Sequence, residues 1–296
     1  MDTVNPEHTK LNRIYLWANN RSMGTVFLKW LSLLPNSQAV NGMFTSCYFY
    51  GPESRWIAKD ISYERSSETN LPDYPFVYDA SNVTYRMAKT NLESDYPGKK
   101  YLFCKDLPYC LFHNHKLIPK GFRHTFLIRH PYRMYPSWKK AFGGLFQESS
   151  LNEIIEKHYH HMYNYKEQYE IIQYLQNNPE LGDTDPVIFD ADDLQNHPES
   201  ILRQYCQAVG IAFTESMLQW SPGVEVVKSW KISKQLLGGG IHESDYAFYR
   251  TAMESSKFLP PKKLPERCEL DEDILECADI GMPYYEKLYA MRTLRP

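Results

Sequence analysis

The sequence lacks the features that mark several large protein classes. Its formal charge is only −3, from 33 Lys and Arg against 36 Asp and Glu, so its overall charge does not indicate a nucleic-acid partner. No apolar run approaches the roughly 20 residues of a membrane-spanning helix. The first residues, MDTVNPEHTKLNR, hold no apolar core of a secretory signal. These absences predict a cytoplasmic protein that binds neither nucleic acid nor membrane.

Disulfide and metal motifs are also missing. No two of the six cysteines form a C-x2-C pair, and a chain of 296 residues needs no covalent staples, so we interpret them as free thiols in a reducing compartment. We predict no metal site. His158, His160 and His161 form a cluster whose role is left open: a structural cluster is favoured, and a pocket wall is an alternative. Two histidines three residues apart on a helix do not by themselves make a metal site.

Short strand-like runs alternate with helix-like stretches through most of the chain. Strands are predicted at 12–18, within 38–50, at 101–105, 125–128 and 186–190. Helices are predicted at 25–34, 79–91, 107–114, from 131–136 onward, and at 150–176, 198–209, 214–220 and 271–293. Such alternation favours βαβ units and a parallel sheet. We therefore predict a three-layer α/β fold with a central parallel sheet, in a single domain over 1–296 with 271–296 as a C-terminal helical extension.

The turn after the first strand has the composition of an anion site. Arg21, Ser22, Met23, Gly24 and Thr25 join the strand to a helix. The N–H groups and dipole of a helix N-terminus favour an anion there, and a guanidinium suits phosphate or sulfate oxygens. A nucleotide triphosphatase would carry Gly-x4-Gly-Lys-[Ser/Thr], which is absent. From these residues alone, an ordinary turn with a solvent-facing arginine is an equal alternative.

Charged side chains also follow two later strands. Arg129 comes directly after the strand at 125–128, and Ser137 follows eight residues later. Because ligands of parallel sheets bind at the carboxyl ends of strands, this pair could hold a second phosphate. At the end of the strand at 101–105, Lys105 could neutralise a transferring group, and Asp106 just after it could accept a proton. The alternatives are a surface arginine with a capping serine, and a salt bridge at a strand end.

Several motifs resemble those of one enzyme family. The stretch FLIRHPYRMYPS, ending at Ser137, resembles the 3′-phosphate motif of sulfotransferases that use 3′-phosphoadenosine 5′-phosphosulfate (PAPS). The RSMGT turn is similar to their 5′-phosphosulfate loop, and segments 187–194, 198–202 and 217–220 resemble later parts of the same family. The resemblance implies a P-loop kinase/sulfotransferase-like fold, with PAPS as donor and 3′,5′-ADP as product. It implies these ligand-binding residues: Arg21, Ser22, Met23, Gly24, Thr25 and Val26 for the phosphosulfate, and Arg129 and Ser137 for the 3′-phosphate.

A departure from the family pattern leaves the catalytic base open. Many cytosolic members carry a histidine two residues after the lysine, where this chain has Leu107. By the resemblance Lys105 fills the lysine role, and the base is sought among Asp106, His113, His115 or a residue elsewhere. The expected function is sulfuryl transfer (EC 2.8.2 type) to a hydroxyl or amine of a small-molecule acceptor.

The alternatives are an inactive nucleotide-binding protein of the same fold and a small-molecule kinase. The acceptor is not identified, and a homodimer is left open. The run of three glycines at 238–240 is interpreted either as a loop that closes over the adenosine or as a plain surface loop.

Overall fold

The structure is a computed structural model that describes residues 10–54, 75–111, 113–142, 150–238 and 249–296. In these ranges, seven strands form one sheet in the order β3-β7-β2-β4-β1-β5-β6. Every neighbouring pair of strands is parallel. The strands are β1 Asn12–Ala18, β2 Ser37–Asn41, β3 Val77–Tyr78, β4 Tyr101–Asp106, β5 Arg123–Ile128, β6 Val187–Asp190 and β7 Lys231–Ser233.

Helices cover both faces of this sheet. They are α1 Gly24–Ser32, α2 Met43–Tyr50, α3 Tyr85–Glu93, α4 Pro131–Phe142, α5 Leu151–His158, α6 Tyr165–Asn177, α7 Ala191–Asn196, α8 Pro198–Val209, α9 Lys234–Gly238, α10 Arg250–Glu254 and α11 Glu272–Ala290. Helix α8 begins at Pro198 and is followed by Gly210 with φ 70°, as its sequence predicted.

The central strand shows how the three layers arise. Side chains of β1 alternate between the faces of the sheet. Tyr15 and Trp17 join the core that contains α2 and α6, whereas Leu16 and Ala18 join the core that contains α1. All four side chains are fully buried. The predicted three-layer α/β fold with a central parallel sheet is confirmed.

The segment at 38–50 departs from the expectation of a strand followed by irregular chain. Strand β2 ends at Asn41, Gly42 takes a left-handed φ of 71°, and α2 begins at Met43. The apolar, aromatic sequence of α2 is typical of a strand, but seven of its eight residues are buried as a helix. Tertiary packing therefore outweighs local propensity here.

The single helix predicted at 150–176 is wrong. Helices α5 and α6 are separate, and φ is positive at His160 (50°), His161 (57°) and Asn164 (78°) between them. His158 and His161 therefore do not share a helical face. The pattern did not indicate the break because these left-handed positions carry no glycine.

Other boundaries differ in smaller ways. The helix predicted at 107–114 is two short 3-10 turns, Pro108–Leu111 and His115–Leu117. The C-terminal helix α11 runs on through Pro283 without a split, and it packs against α4, α5 and α6. The segment before the three-glycine run contains β7 and α9, and Gly239 and Gly240 of that run lie outside the described residues.

Two global features complete the description. No helix in the described ranges is long and apolar enough to cross a membrane. All six cysteines fall within those ranges as free thiols, of which only Cys268 is exposed.

Candidate active site

The turn between β1 and α1 is shaped by its own backbone. Both the N–H and the hydroxyl of Ser22 donate to the Asn19 carbonyl, at 3.2 and 2.6 Å. Arg21 and Met23 adopt left-handed φ values of 57° and 73°. Helix α1 starts at Gly24 with no side-chain cap, so its first N–H groups have no acceptor within the helix. The Ser22 hydroxyl is thus used inside the turn, and the backbone N–H groups remain available for a ligand.

Gly24 is required by packing. A Cβ atom there would lie 2.5 Å from Ala18 Cβ and 3.3 Å from Lys105 Cε. Its φ is not in the left-handed region, so the constraint is space and not backbone conformation. The missing side chain lets α1 approach the end of β1, and it lets the Lys105 side chain pass beside the helix N-terminus.

Replacing Gly24 with Ala is expected to destabilise the protein by about 1–3 kcal/mol, because the new methyl overlaps Ala18 in a packed layer. Urea unfolding followed by circular dichroism measures this loss. The double variant G24A/A18G removes the opposing methyl, so it should lose less than the sum of the two single variants. Additive losses would show that the contact between these two positions is not the cause.

Two segments far apart in sequence meet at this turn. Arg129, just beyond β5, donates through Nη1 to the Arg21 carbonyl at 2.7 Å. Arg21 donates in turn through Nε to Ser137 Oγ at 3.1 Å. Ser137 lies in the second turn of α4 and not at an N-cap. Tyr165 donates to the Arg129 carbonyl at 2.6 Å and holds the end of β5 in place. The structure thus brings together Arg21, Arg129 and Ser137.

The two guanidinium groups are held at an electrostatic cost. Burial lowers the pKa of Arg21, and the charge of Arg129 lowers it further. Burial also lowers the pKa of Arg129, against a smaller opposing effect of Asp192. Arg129 Nε is buried and has no hydrogen-bond partner in the described part of the chain. An anion bound to these cations would relieve their repulsion and supply the missing acceptor.

Lys105 approaches the other side of the turn. It pairs in register with Leu16 of β1 and Asn41 of β2, next to the carboxyl edge. The residue is 8% exposed, and burial lowers the pKa of its ammonium group. Across the described ranges, Nζ makes no hydrogen bond and no ion pair. A buried cation without a partner at a helix N-terminus is suited to a strongly charged ligand.

Asp106 is committed to the fold. Its Oδ2 accepts from the Tyr15 hydroxyl at 2.7 Å, and its Oδ1 accepts from the N–H and hydroxyl of Thr45 at 2.7 and 2.8 Å. Burial raises the pKa of this carboxyl group, and these hydrogen bonds oppose the rise. With 1% exposure, Asp106 fixes the start of α2 and does not face a ligand.

The two candidate histidines lie elsewhere. The His115 ring is 5.4 Å from that of Tyr174, in an open groove with Glu170 and Gln173. Tyr174 is nine residues along α6 from Tyr165, which corresponds to about 13 Å of helix. His113 is exposed. The structure does not bring either histidine to Arg21 and Arg129.

Sequence reasoning missed a second set of residues beside the turn. Asn164 Oδ1 accepts from the Asn20 N–H at 3.5 Å, and Asn20 Nδ2 donates to the Tyr109 hydroxyl at 3.3 Å. Gln168 donates to the carbonyls that end β1 and β5, at 3.2 Å each. The first turn of α6, including Glu167, therefore sits on the carboxyl edge of the sheet. The sequence pattern did not indicate this, because residues 150–176 have the pattern of one continuous helix.

Metal ligation has no support in the part of the chain that the structure describes. There, no group of three or more His, Cys, Asp or Glu side chains is placed to hold a metal ion. The carboxylate of Asp190 caps α7 through the N–H groups of Asp192 and Asp193. This acidic cluster therefore serves the fold.

Comparison with known proteins supports the resemblance. Residues 180–291 match the sequence model of the family described as Sulfotransferase domain. Two curated Arabidopsis thaliana proteins are similar, Branched-chain-amino-acid aminotransferase-like proteins 1 and 2. The first is 30% identical over 186 residues, covering 60% of this chain and 27% of that protein. The second is 32% identical over 184 residues, covering 61% and 27%. The chain spans about a quarter of the length of these relatives.

One solved structure with a similar chain trace is the sulfotransferase domain of the Synechococcus PCC 7002 olefin synthase, at 14% identity and a TM-score of 0.49, covering 94% of this chain and 97% of that one. The family match confirms the sulfotransferase resemblance over residues 180–291, and the parallel sheet confirms the predicted α/β fold class. The matched range does not include the β1–α1 turn, Lys105 or Arg129.

Proposed function

We propose that the protein is a PAPS-dependent sulfotransferase that transfers a sulfuryl group to a hydroxyl or amine of a small-molecule acceptor. The observation that carries this proposal is the contact of Arg129 with Arg21 and of Arg21 with Ser137. These contacts place Arg129 and Ser137 beside the uncapped N-terminus of α1. A nucleotide with phosphates at both its 5′ and 3′ positions requires two such neighbouring anion sites. The family match over residues 180–291 supports the same class.

The residues present fit such a donor. The first N–H groups of α1, the Thr25 hydroxyl and Lys105 would hold the 5′-phosphosulfate. Arg129 and Ser137 would hold the 3′-phosphate, and the Arg129 Nε that has no partner would gain an acceptor. Arg21 lies between the two groups and would serve both. The donor supplies an activated sulfuryl group, and the protein supplies position and charge.

Sulfuryl transfer by these residues resembles phosphoryl transfer in its logic. The acceptor oxygen or nitrogen forms a new bond to sulfur, while the bond from sulfur to the bridging 5′-phosphate oxygen breaks. The electron pair of that bond leaves on the phosphate, where Lys105 and Arg21 stabilise the added charge. The acceptor gives up its proton to a base. No covalent intermediate with the protein is needed.

Replacing Arg129 with Ala is expected to weaken 3′,5′-ADP binding by about 1.5–3 kcal/mol, because a charge-assisted hydrogen bond to the 3′-phosphate is lost. Isothermal titration calorimetry measures the change. The matched control ligand is 5′-AMP, which lacks the 3′-phosphate. R129A should weaken the binding of 5′-AMP less, because only the effect of the lost hydrogen bond to the Arg21 carbonyl remains. Equal losses for both ligands would place the 3′ site elsewhere.

The same titrations test the rival functions. A small-molecule kinase would bind ATP with Mg²⁺ at least as tightly as 3′,5′-ADP, and R129A would not discriminate between nucleotides. An inactive nucleotide-binding protein would bind 3′,5′-ADP but would transfer sulfate from PAPS to no member of a panel of alcohols, phenols and amines. Binding of 3′,5′-ADP together with PAPS-dependent transfer supports the proposed function against both.

A further inference from the structure

Several buried polar atoms without partners surround one side of the β1–α1 turn. In the described part of the chain, neither polar atom of the Asn19 side chain has a hydrogen-bond partner, and the same is true of Asn164 Nδ2 and Glu167 Oε2. These residues are only 2%, 0% and 7% exposed, respectively. Buried polar atoms are nearly always hydrogen-bonded in folded proteins. A group of exceptions beside a candidate active site indicates positions that a ligand fills.

These groups are held by the sheet and the turn. Gln168 fixes the first turn of α6 to the carbonyls of Trp17 and Leu127, at the ends of β1 and β5. Asn164 is bonded to the backbone of the turn at Asn20. Glu167 is the third residue of α6, and the Asn164 N–H faces its carboxylate. Asn164 therefore links the Glu167 carboxylate to the turn proposed to bind the phosphosulfate.

Backbone strain accompanies this arrangement. Between α5 and α6, three residues without glycine's freedom have positive φ: His160, His161 and Asn164. Conformations of this kind cost about 1–3 kcal/mol each and cluster at functional sites. Here the strain delivers Asn164 and Glu167 to the edge of the sheet, which a continuous helix would not do.

We propose that Glu167 is the catalytic base of the transfer, and that Asn19 and Asn164 bind the hydroxyl or amine of the acceptor beside it. This assignment rests on the proposed function. The acceptor's proton passes to the Glu167 carboxylate as its oxygen or nitrogen bonds to sulfur, and the leaving electron pair goes to the 5′-phosphate. The acceptor class is thus one with a hydroxyl or amino group that can donate a hydrogen bond, and it excludes thioethers and tertiary amines.

The electrostatic surroundings suit this role. Burial raises the pKa of Glu167 to about 7, where a general base is most effective at neutral pH. On its own helix, Glu170 raises this pKa and Lys166 lowers it. Tyr48 of α2 and Tyr135 of α4 are neighbours from the packed helices. In the described part of the chain Glu167 forms no salt bridge with a cation, and so the carboxylate keeps a proton affinity that an ion pair would lower.

A structural role for Glu167 predicts different behaviour. Glutamate at the third position of a helix can bond back to the N–H of the residue before the helix, and glutamine does so equally well. E167Q therefore keeps the cap and loses the base. Glu170, one turn further along α6 and paired with Lys166 at 3.8 Å, gives the matched control E170Q.

The first test measures proton uptake when 3′,5′-ADP binds, by calorimetry at pH 7.5 in buffers of different ionisation enthalpy. The bound phosphates should raise the proton affinity of Glu167, and a rise of one pKa unit from 7 gives about half a proton more uptake than in E167Q. E170Q should stay close to the wild type, because Glu170 makes only a smaller contribution to the raised pKa of Glu167 than burial does. Equal uptake in all three proteins would overturn the assignment of Glu167 and leave the donor site standing. Failure of 3′,5′-ADP to bind would overturn both.

The second test measures transfer from PAPS to phenol and to p-nitrophenol, which is largely ionised at pH 7.5. E167Q should lower kcat with phenol by about 10²-fold or more, without changing the KM for PAPS. The loss with p-nitrophenol should be much smaller, since that acceptor needs no base. Equal losses with both phenols would show that Glu167 is structural. Absence of transfer in the wild type would overturn the proposed function together with this assignment.

Discussion

Replacing Lys105 with Met is expected to slow sulfuryl transfer about 10²- to 10³-fold, the range for the loss of one charge-stabilising donor in an active site. The ammonium group lies beside the N-terminus of α1, where charge develops on the leaving phosphate. Its effect should therefore fall mainly on kcat, and 3′,5′-ADP should bind with a smaller loss. Steady-state kinetics with PAPS and calorimetry with 3′,5′-ADP measure the two quantities.

The same substitution should not destabilise the fold. Lys105 is buried at a desolvation cost that the nearby charge of Asp106 offsets only in part. Met has a similar length and fills the same channel beside Gly24. Lys100→Met, at the exposed residue just before β4, is the control and should change neither rate nor stability. A K105M protein that transfers sulfate at the normal rate would remove Lys105 from the mechanism.

The sequence was sufficient to predict the central strands of the fold. Strands β1, β4, β5 and β6 are short apolar runs with helical stretches between them, which is the pattern of a buried parallel sheet. Strands β3 and β7 have only two and three residues, too few to show a period. Helix α2 consists of residues that favour strands, and long-range packing decides its conformation.

In the candidate site too, residues marked by local sequence were predicted, whereas those that depend on long-range contacts were not. Arg21, Lys105 and Arg129 were predicted because each lies at or just beyond the end of a strand, and parallel strands end at one edge. That Asp106 is sequestered depends on Tyr15 from β1 and Thr45 from α2, which only the folded chain brings near. The approach of Asn164 and Glu167 depends on left-handed backbone at histidine and asparagine, where no glycine signals a turn.

The E167Q variant is expected to be more stable than the wild type above pH 7, by at most about 3 kcal/mol. Burial raises the pKa of Glu167 from 4.5 to about 7. The folded protein therefore holds its proton more tightly than the unfolded chain does. The neutral carboxyl contributes fully to stability below pH 4.5, and that contribution is lost as the pH rises through 7. Glutamine is neutral at every pH and keeps the helix cap.

Urea unfolding of both proteins at pH 5, 6, 7 and 8 measures the difference, which should grow with pH. Burial also raises the pKa of Asp190 to about 7. Asp190 is present in both proteins, so its contribution to the difference in stability cancels. E170Q, with its exposed partner Lys166, should follow the wild type within about 0.5 kcal/mol. If the free energies of unfolding of E167Q and the wild type change with pH in the same way, the Glu167 carboxylate carries no buried charge. A gain in stability combined with a loss of transfer is the combination expected of a residue retained for chemistry at the expense of the fold.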